Sequence, residues 1–370
     1  MTIAVHIHLS DDKNYPDFNY RCITILAATY PEHNFVFIFD TPFDPSLFLQ
    51  KNITPVLLTP QIRNRLLGHY WYNYKIPGLL KKYNAALFVS NGINCSLRTT
   101  IKQCLILPDL SFLQKENIFS RNDVRYINKF YKKFISTAAC IAVCNDHTRV
   151  LLSNLFPATA KKSHNIGYPV NDPVKSFADD EMKNTRGRYT EGKEYFLCYV
   201  TDASLSNTTV LLKAFSAFKK RQLSNMQLVL LFSTTHKENP VKDFALYKYR
   251  DEVKVMFPDT EDLLVQITSA AYAAIYLPAI ELMDDKGIIT LKNNIPLIIA
   301  KNDFNKSLYG DAALFTTVDE KNIAENMMLL YKDEHTRNEL MNKGKFLAKA
   351  FTWDNTAFNL WKAILETTEQ

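Results

Sequence analysis

The sequence predicts an α/β protein built from two parallel, doubly wound sheets, and three observations support this prediction. The chain has 370 residues. A single hydrophobic core rarely supports a chain of this length, so two domains are expected. Apolar runs rich in β-branched residues alternate with helical patterns, which favours parallel sheets over all-α or all-β folds. A polar stretch, residues 171–193, interrupts this alternation once. It is predicted to be the domain linker.

The first alternation predicts an N-terminal domain over residues 1–170. Its strand-like runs are 3–8, 35–38, 55–58, 86–89, 104–107 and 140–143, and its clearest helical patterns are 20–29, 76–82 and 121–136. The amino-terminal run is too short for a membrane span and lacks the basic start of an export signal, so it predicts a first strand. The six cysteines are scattered. Buried thiols in a reducing cytoplasm explain them best.

The second alternation predicts a C-terminal domain over residues 194–352. Its strands are 195–200, 227–232, 253–256, 274–277 and 297–300, and its helices are 208–222, 260–271, 287–293, 320–332 and 334–349. A last helical pattern covers 353–366.

Residues 272–298 carry the most informative motif. An apolar strand stops at Pro278, a polar turn contains Glu281, and a short helix leads to the next strand. The stretch resembles the signature of family 4 retaining glycosyltransferases of the GT-B fold. There, a Glu-Gly-Phe-Gly turn follows a strand, and a second Glu lies eight residues after the first, before Gly-x-Pro-Val. When the motif is aligned backwards from Pro296, its first Glu corresponds to Glu281, and Ile289 stands at the position of its second Glu.

The resemblance extends to other parts of the second half. Residues 195–215 are similar to the opening strand and helix of the family's nucleotide domain. The family's glycine there is Val200, and its Arg-Lys pair is Leu205 and Ser206. GDAALF at 310–315 and FTWD at 351–354 resemble the family's Gly-Asp-Ala-Ala and Phe-Ser-Trp segments.

Two segments of the first half carry the same resemblance. LILPDLSFL at 105–113 is similar to the family's Ile-His-Asp-Leu-x-Phe, with the histidine replaced by Pro108. Residues 141–155 are similar to its Val-Ser-Glu segment, with the serine replaced by Cys144. The resemblance therefore covers nearly the whole chain. It implies a GT-B fold of two Rossmann-like domains that face each other across a cleft, with the C-terminal segment 353–370 packing back on the N-terminal domain.

The resemblance also implies a site. Glu281 occupies the position of the family carboxylate that contacts the donor sugar. The alternative is a structural role, in which Glu281 caps free N–H groups at a helix start. Asp109 follows a strand and either faces the cleft or forms a turn. The co-substrate implied is a nucleotide-diphosphate sugar, with neither a cofactor nor a metal. The residues predicted to bind the donor are Thr201, Asp202, Ser204, Asn207, Asp284, Lys286 and Gly287.

Two functions remain open on these residues. The first is a divergent glycosyltransferase, a hexosyltransferase that retains the anomeric configuration as the resemblance implies. The second is a relative that has lost turnover and serves as a binding or activating subunit. Loss of the basic pair, of the cleft histidine and of the turn glycines weakens the first, because this catalysis depends on stabilising charge on the departing phosphate. Lys286 and Lys292 flank the predicted turn and helix and could replace that charge.

Charge is divided unevenly along the chain. Residues 1–170 contain 19 Lys and Arg against 10 Asp and Glu, a net +9, whereas residues 171–370 contain 25 against 28, a net −3. Basic and aromatic residues alternate in 61–83 and again in 127–134. A solvated helix face is one interpretation. Contact with an anionic or lipid-linked acceptor, or with the inner face of a membrane, is the other. No nucleic-acid-binding motif accompanies the charge.

Overall fold

The chain forms two compact units in a computed structural model that describes residues 1–8, 18–44, 50–92, 94–113, 121–171, 177–202, 204–232 and 244–369. The first unit comprises Met1–Pro169 together with Thr352–Gln370, and the second comprises Val170–Phe351. Each unit has its own parallel sheet, of seven and six strands respectively. The prediction of two parallel α/β domains is confirmed.

The first sheet has the strand order β3-β2-β1-β4-β5-β6-β7. Its strands are β1 (Thr2–Ile7), β2 (Asn34–Phe39), β3 (Ile53–Leu57), β4 (Leu87–Asn91), β5 (Lys102–Leu107), β6 (Cys140–Val143) and β7 (Ser163–Asn165). The helices of this unit are α1 (Phe18–Thr29), α2 (Arg65–Tyr70), α3 (Ile76–Lys82), α4 (Arg121–Thr137), α5 (Asp146–Leu155) and α13 (Trp353–Glu369). A π turn, Trp71–Lys75, joins α2 to α3 without a break.

Helices cover both faces of the first sheet, which explains why its central strands consist mostly of apolar residues. In β1, Ile3, Val5 and Ile7 pack into one cluster, together with residues of α1 and α13. Ala4 faces the other way and packs near Trp71. The C-terminal helix α13 is thus part of the core of the first unit, and it contacts α1, β5 and β6.

The second sheet has the strand order β10-β9-β8-β11-β12-β13. Its strands are β8 (Tyr195–Val200), β9 (Gln227–Phe232), β10 (Val253–Met256), β11 (Ala273–Tyr276), β12 (Leu297–Ala300) and β13 (Leu314–Thr316). Its helices are α6 (Asp179–Thr190), α7 (Thr208–Gln222), α8 (Glu261–Ser269), α9 (Lys286–Lys292), α10 (Asp303–Tyr309), α11 (Glu320–Lys332) and α12 (Glu334–Ala348).

The segment predicted as a linker contains helix α6, which belongs to the second unit and contacts α8. Its sequence is so polar that it resembles a loop. The helix is nevertheless stabilised at its start, where the Glu181 carboxylate accepts a hydrogen bond from the Ala178 N–H at 3.0 Å, and acidic side chains favour the positive end of the helix dipole. Strands β7 and β13, each of three residues, were not predicted because so short a run carries no periodic signal.

Candidate functional site

The second sheet reverses its strand order beside β8. The chain runs from β8 outward to β9 and β10, and then returns to place β11 on the other side of β8. In open parallel sheets, ligands bind outside the carboxyl ends of the strands at this reversal. The two loops that follow these strands are residues 201–207 and 277–285. They contain all the predicted donor-binding residues except Lys286 and Gly287, which begin α9.

Loop 201–207 folds tightly on itself around Ser204. The Ser204 hydroxyl accepts a hydrogen bond from the Thr201 N–H at 2.9 Å and donates to the Tyr199 carbonyl at 3.1 Å. Ser204 is only 4% exposed, so its hydroxyl shapes the loop. Asp202 and Ser206 are exposed and Thr201 is half-buried, so these polar side chains of the loop are accessible to a ligand.

Asn207 joins the two loops. Its side-chain amide donates a hydrogen bond to the Leu277 carbonyl at 2.8 Å. Asn207 also stands at the position before α7, yet its side chain makes no capping hydrogen bond to that helix. It therefore holds the end of β11 against the start of α7. This contact brings together the two loops that the sequence predicted to form one site.

Asp284 lies at the centre of loop 277–285. It accepts a hydrogen bond from the Tyr276 hydroxyl and another from the Lys286 N–H, the latter at 2.9 Å. Burial, reinforced by the neighbouring Asp285 carboxylate and opposed by Lys286, raises the pKa of Asp284 to about 6. The carboxyl therefore changes charge near neutral pH. Because it replaces a family glycine, it puts a titratable group where the resemblance implies bare backbone.

Two buried tyrosines, Tyr199 and Tyr276, lie on the neighbouring strands β8 and β11. Tyr199 and Tyr276 are directly paired across β8 and β11, with ring centroids 6.2 Å apart at 90°. The Tyr199 hydroxyl is 3.0 Å from the Thr268 hydroxyl and accepts from the Thr290 hydroxyl at 3.3 Å. Sequence reasoning missed these residues because it assigned tyrosines to packing. Their position at the ends of two strands was the available signal.

The two lysines that flank loop 277–285 already have polar partners. Lys286 Nζ lies 2.6 Å from an Asp285 carboxylate oxygen. Lys292 Nζ donates to the Val170 carbonyl at 2.6 Å. Loop 277–285 thus has three carboxylates, those of Glu281, Asp284 and Asp285, beside one lysine that is already paired. The charge that a leaving diphosphate needs is not supplied by free lysine side chains here.

Gly287 is required by packing. A Cβ atom at this position would overlap the hydroxyl of Tyr309, which is buried. The Tyr309 ring therefore covers the first turn of α9 at the point where the sequence predicted contact with a donor. Ile289, which stands where the family has its second Glu, is 6% exposed and packs inward on the same helix.

The two predicted catalytic carboxylates lie in different units. Glu281 is half-buried in loop 277–285, five residues before α9 begins. Asp284 accepts a hydrogen bond from the N–H of Lys286, the first residue of α9. Asp109 accepts a hydrogen bond from the Ser111 N–H at 2.8 Å. It thus forms the turn after β5 that its alternative interpretation anticipated.

Among the residues that the structure describes, no three His, Cys, Asp or Glu side chains are grouped as the ligands of a metal ion would be. No helix in the same part of the chain has both the length and the apolar character that crossing a bilayer requires.

Solved structures similar to this chain include three that match it over 99% of its length. A glycosyltransferase from Rickettsia africae has 11% identity, a TM-score of 0.70 and 98% of its own chain covered. HepE from Anabaena, in complex with UDP, has 12% identity, a TM-score of 0.71 and 100% covered. The N-terminal domain of the trehalose-6-phosphate phosphatase from Candida albicans has 12% identity, a TM-score of 0.68 and 96% covered.

At this identity the likeness is one of fold, and a fold hosts more than one function. No family model matches the sequence, and no curated protein matches it. The two all-parallel sheets agree with those of the GT-B glycosyltransferases among the similar structures. The chain therefore has the GT-B fold that its sequence predicted.

Proposed function

We propose that this protein is a divergent glycosyltransferase that binds a nucleotide-diphosphate sugar at the strand-order reversal of its second sheet. The observation that carries the proposal is the junction of loops 201–207 and 277–285 through Asn207. It creates one surface at the carboxyl ends of β8 and β11, where nucleotide phosphates bind in folds of this kind. A similar structure, HepE, contains UDP and glucose, which supports a uridine nucleotide as the first donor to test.

In this proposal, Glu281 contacts the donor sugar and the sugar is transferred with retention. The acceptor is held by the basic first half of the chain and is anionic or lipid-linked. Backbone N–H groups of the two loops hold the diphosphate, since the lysines of the second loop are paired. Losing a charge-assisted hydrogen bond costs about 1.5–3 kcal/mol. Two such losses weaken donor affinity by roughly a few hundred-fold or more.

The charge around loop 277–285 favours a second candidate function. A diphosphate must approach the carboxylates of Asp284 and Asp285, and the opposing cation Lys286 is already bound to Asp285. A chain with a carboxylate, that of Asp284, in place of a turn glycine retains the fold and serves as a binding or activating subunit without turnover.

The substitution Glu281→Gln separates the two functions. We expect the wild-type chain to bind one member of a panel of UDP-, GDP- and TDP-sugars and to release the sugar slowly to an acceptor or to water. Glu281→Gln should lower this rate at least about 100-fold, as loss of a group that acts on the reacting sugar does, and leave the affinity for the bare nucleotide within about threefold. The measurements are calorimetric titration and product formation.

Glu325→Gln is the matched control, because Glu325 is exposed on α11 of the same unit, and it should change neither quantity. Unchanged transfer in Glu281→Gln would remove this residue from the site. Binding of a nucleotide sugar with slow turnover would support the glycosyltransferase. Absence of binding across the whole panel would refute it and favour the second function.

A further inference from the structure

The first unit has an exposed apolar ridge formed by Leu66, Tyr70 and Tyr74. These residues follow one another at intervals of four along the continuous helix made by α2, the π turn and α3. Leu66 is 80% exposed, Tyr70 43% and Tyr74 52%. Most exposed apolar side chains in soluble proteins occur singly. Three in a row along one helix make a surface that a partner can cover.

Exposed cations surround the ridge. Arg63 precedes α2, and the guanidinium of Arg98 lies 4.2 Å from the Tyr74 ring centroid. The Asn73 side chain fixes this arrangement, because its oxygen accepts the Leu97 N–H at 2.7 Å and so ties the loop of Arg98 to the π turn.

Helix α4 extends the positive surface. His69, on α2, packs against Phe130 of α4 with ring centroids 4.6 Å apart. Burial lowers the pKa of His69, and the nearby charges of Lys129 and Arg98 lower it further, so both cations lie close to the helix that carries the ridge. The outer face of α4 presents exposed cations at spacings of four, three and one: Arg125, Lys129, Lys132 and Lys133.

Two long runs of the sequence that contribute to this surface contain no acid. Residues 45–108 have no Asp or Glu but have eight Lys and Arg, at positions 51, 63, 65, 75, 81, 82, 98 and 102. Residues 124–145 have no acid and four cations, those on the outer face of α4. Runs this long without an acid produce a positive field that persists beyond individual contacts.

We propose that this ridge and its surrounding cations form a docking surface for an anionic bilayer. A projecting leucine beside interfacial tyrosines fits the boundary between headgroups and acyl chains, and the cations fit anionic headgroups. The surface lies in the first unit and stands independently of the donor site in the second. It would hold the chain where a lipid-linked acceptor is found.

Two other partners fit the surface less well. Nucleic-acid bases stack on open aromatic faces, but Tyr70 and Tyr74 stack on each other, with centroids 5.5 Å apart at 22°, and Arg98 lies over Tyr74. A second copy of the chain would bring two strongly positive surfaces together, which like-charge repulsion disfavours.

The test is flotation of the full chain with vesicles of neutral phosphatidylcholine, with or without roughly 30% phosphatidylglycerol. We expect binding to the anionic vesicles only, lost when salt rises from about 0.05 to about 0.5 M. Each cation near an anionic surface contributes about fivefold to the binding constant. The double variant Arg63→Glu/Lys129→Glu should therefore weaken binding about 25-fold or more. Leu66→Ser should weaken it several-fold and leave the salt dependence unchanged.

The matched control is Lys213→Glu/Lys321→Glu, which makes the same change in net charge at two exposed lysines of the second unit. It should bind within about twofold of the wild type, and circular dichroism checks that every variant is folded. Equal losses in both double variants would show a response to net charge alone and overturn the proposal. Absence of vesicle binding at low salt would overturn it too, as would binding of RNA in place of vesicles.

Discussion

Trp361→Ala should destabilise the first unit by about 3–5 kcal/mol, as truncation of a buried tryptophan typically does. Trp361 lies on α13 and is 3% exposed. Its ring stacks on Tyr30 with centroids 4.5 Å apart and lies 5.0 Å from the His33 ring. The truncated side chain leaves a cavity between α13 and the elements α1 and β2. Calorimetry should show the melting temperature of this unit lowered by about 10 °C.

Phe358→Ala provides the control on the same helix, because Phe358 is 50% exposed. This change should lower stability by less than about 1 kcal/mol. If the two substitutions have the same effect, or if Trp361→Ala leaves the melting temperature unchanged, α13 does not contribute to the core of the first unit as described.

Asp284→Asn should stabilise the second unit at neutral pH. The folded chain raises the pKa of Asp284 from 3.8 to about 6, so the fold favours the neutral carboxyl. Stability from this group is fully present below 3.8 and is lost as pH rises through about 6. Asparagine keeps the shape without the charge: its oxygen can accept the Lys286 N–H and its amide can donate to Tyr276. A shift of this size corresponds to roughly 2–3 kcal/mol.

Urea unfolding at about pH 7.5 and about pH 4 measures this gain, and the advantage of Asp284→Asn should shrink towards zero at the lower pH. Asp319→Asn is the control, because the pKa of Asp319 is shifted in the opposite direction. Hydrogen bonds from Thr317 and Asn322 lower it to about 2. It should give no gain at neutral pH. Parallel pH profiles for wild type and Asp284→Asn would contradict the assigned environment of Asp284.

Long buried strands could be predicted from the sequence because both faces of a parallel sheet are covered. Runs such as 195–200 and 227–232 are therefore apolar throughout and coincide with β8 and β9. Helix α6 could not be predicted in this way, since its polar side chains give almost no periodicity and its stability comes from its capping contact and its packing on α8.

The junction of the two candidate loops could be predicted from the sequence, and the chemical environment of their side chains much less so. The two loops were identified because each follows an apolar strand, and parallel strands end at one edge. The pairing of Tyr199 with Tyr276 depends on the register of β8 against β11, residues 77 positions apart. The environment of Asp284 depends on the same register. Neither can be read from local sequence. The catalytic role of Glu281 stays a prediction.

Hydrogen exchange of the full chain, with and without a saturating UDP-sugar, tests the central proposal most directly. Bound diphosphate should slow exchange of backbone amides in residues 201–207 and 277–287, because those N–H groups replace the missing basic pair. Helix α12, on the same unit, should show no change. Unaltered exchange in both loops, or protection confined to other segments, would contradict a donor site at the strand-order reversal of the second sheet.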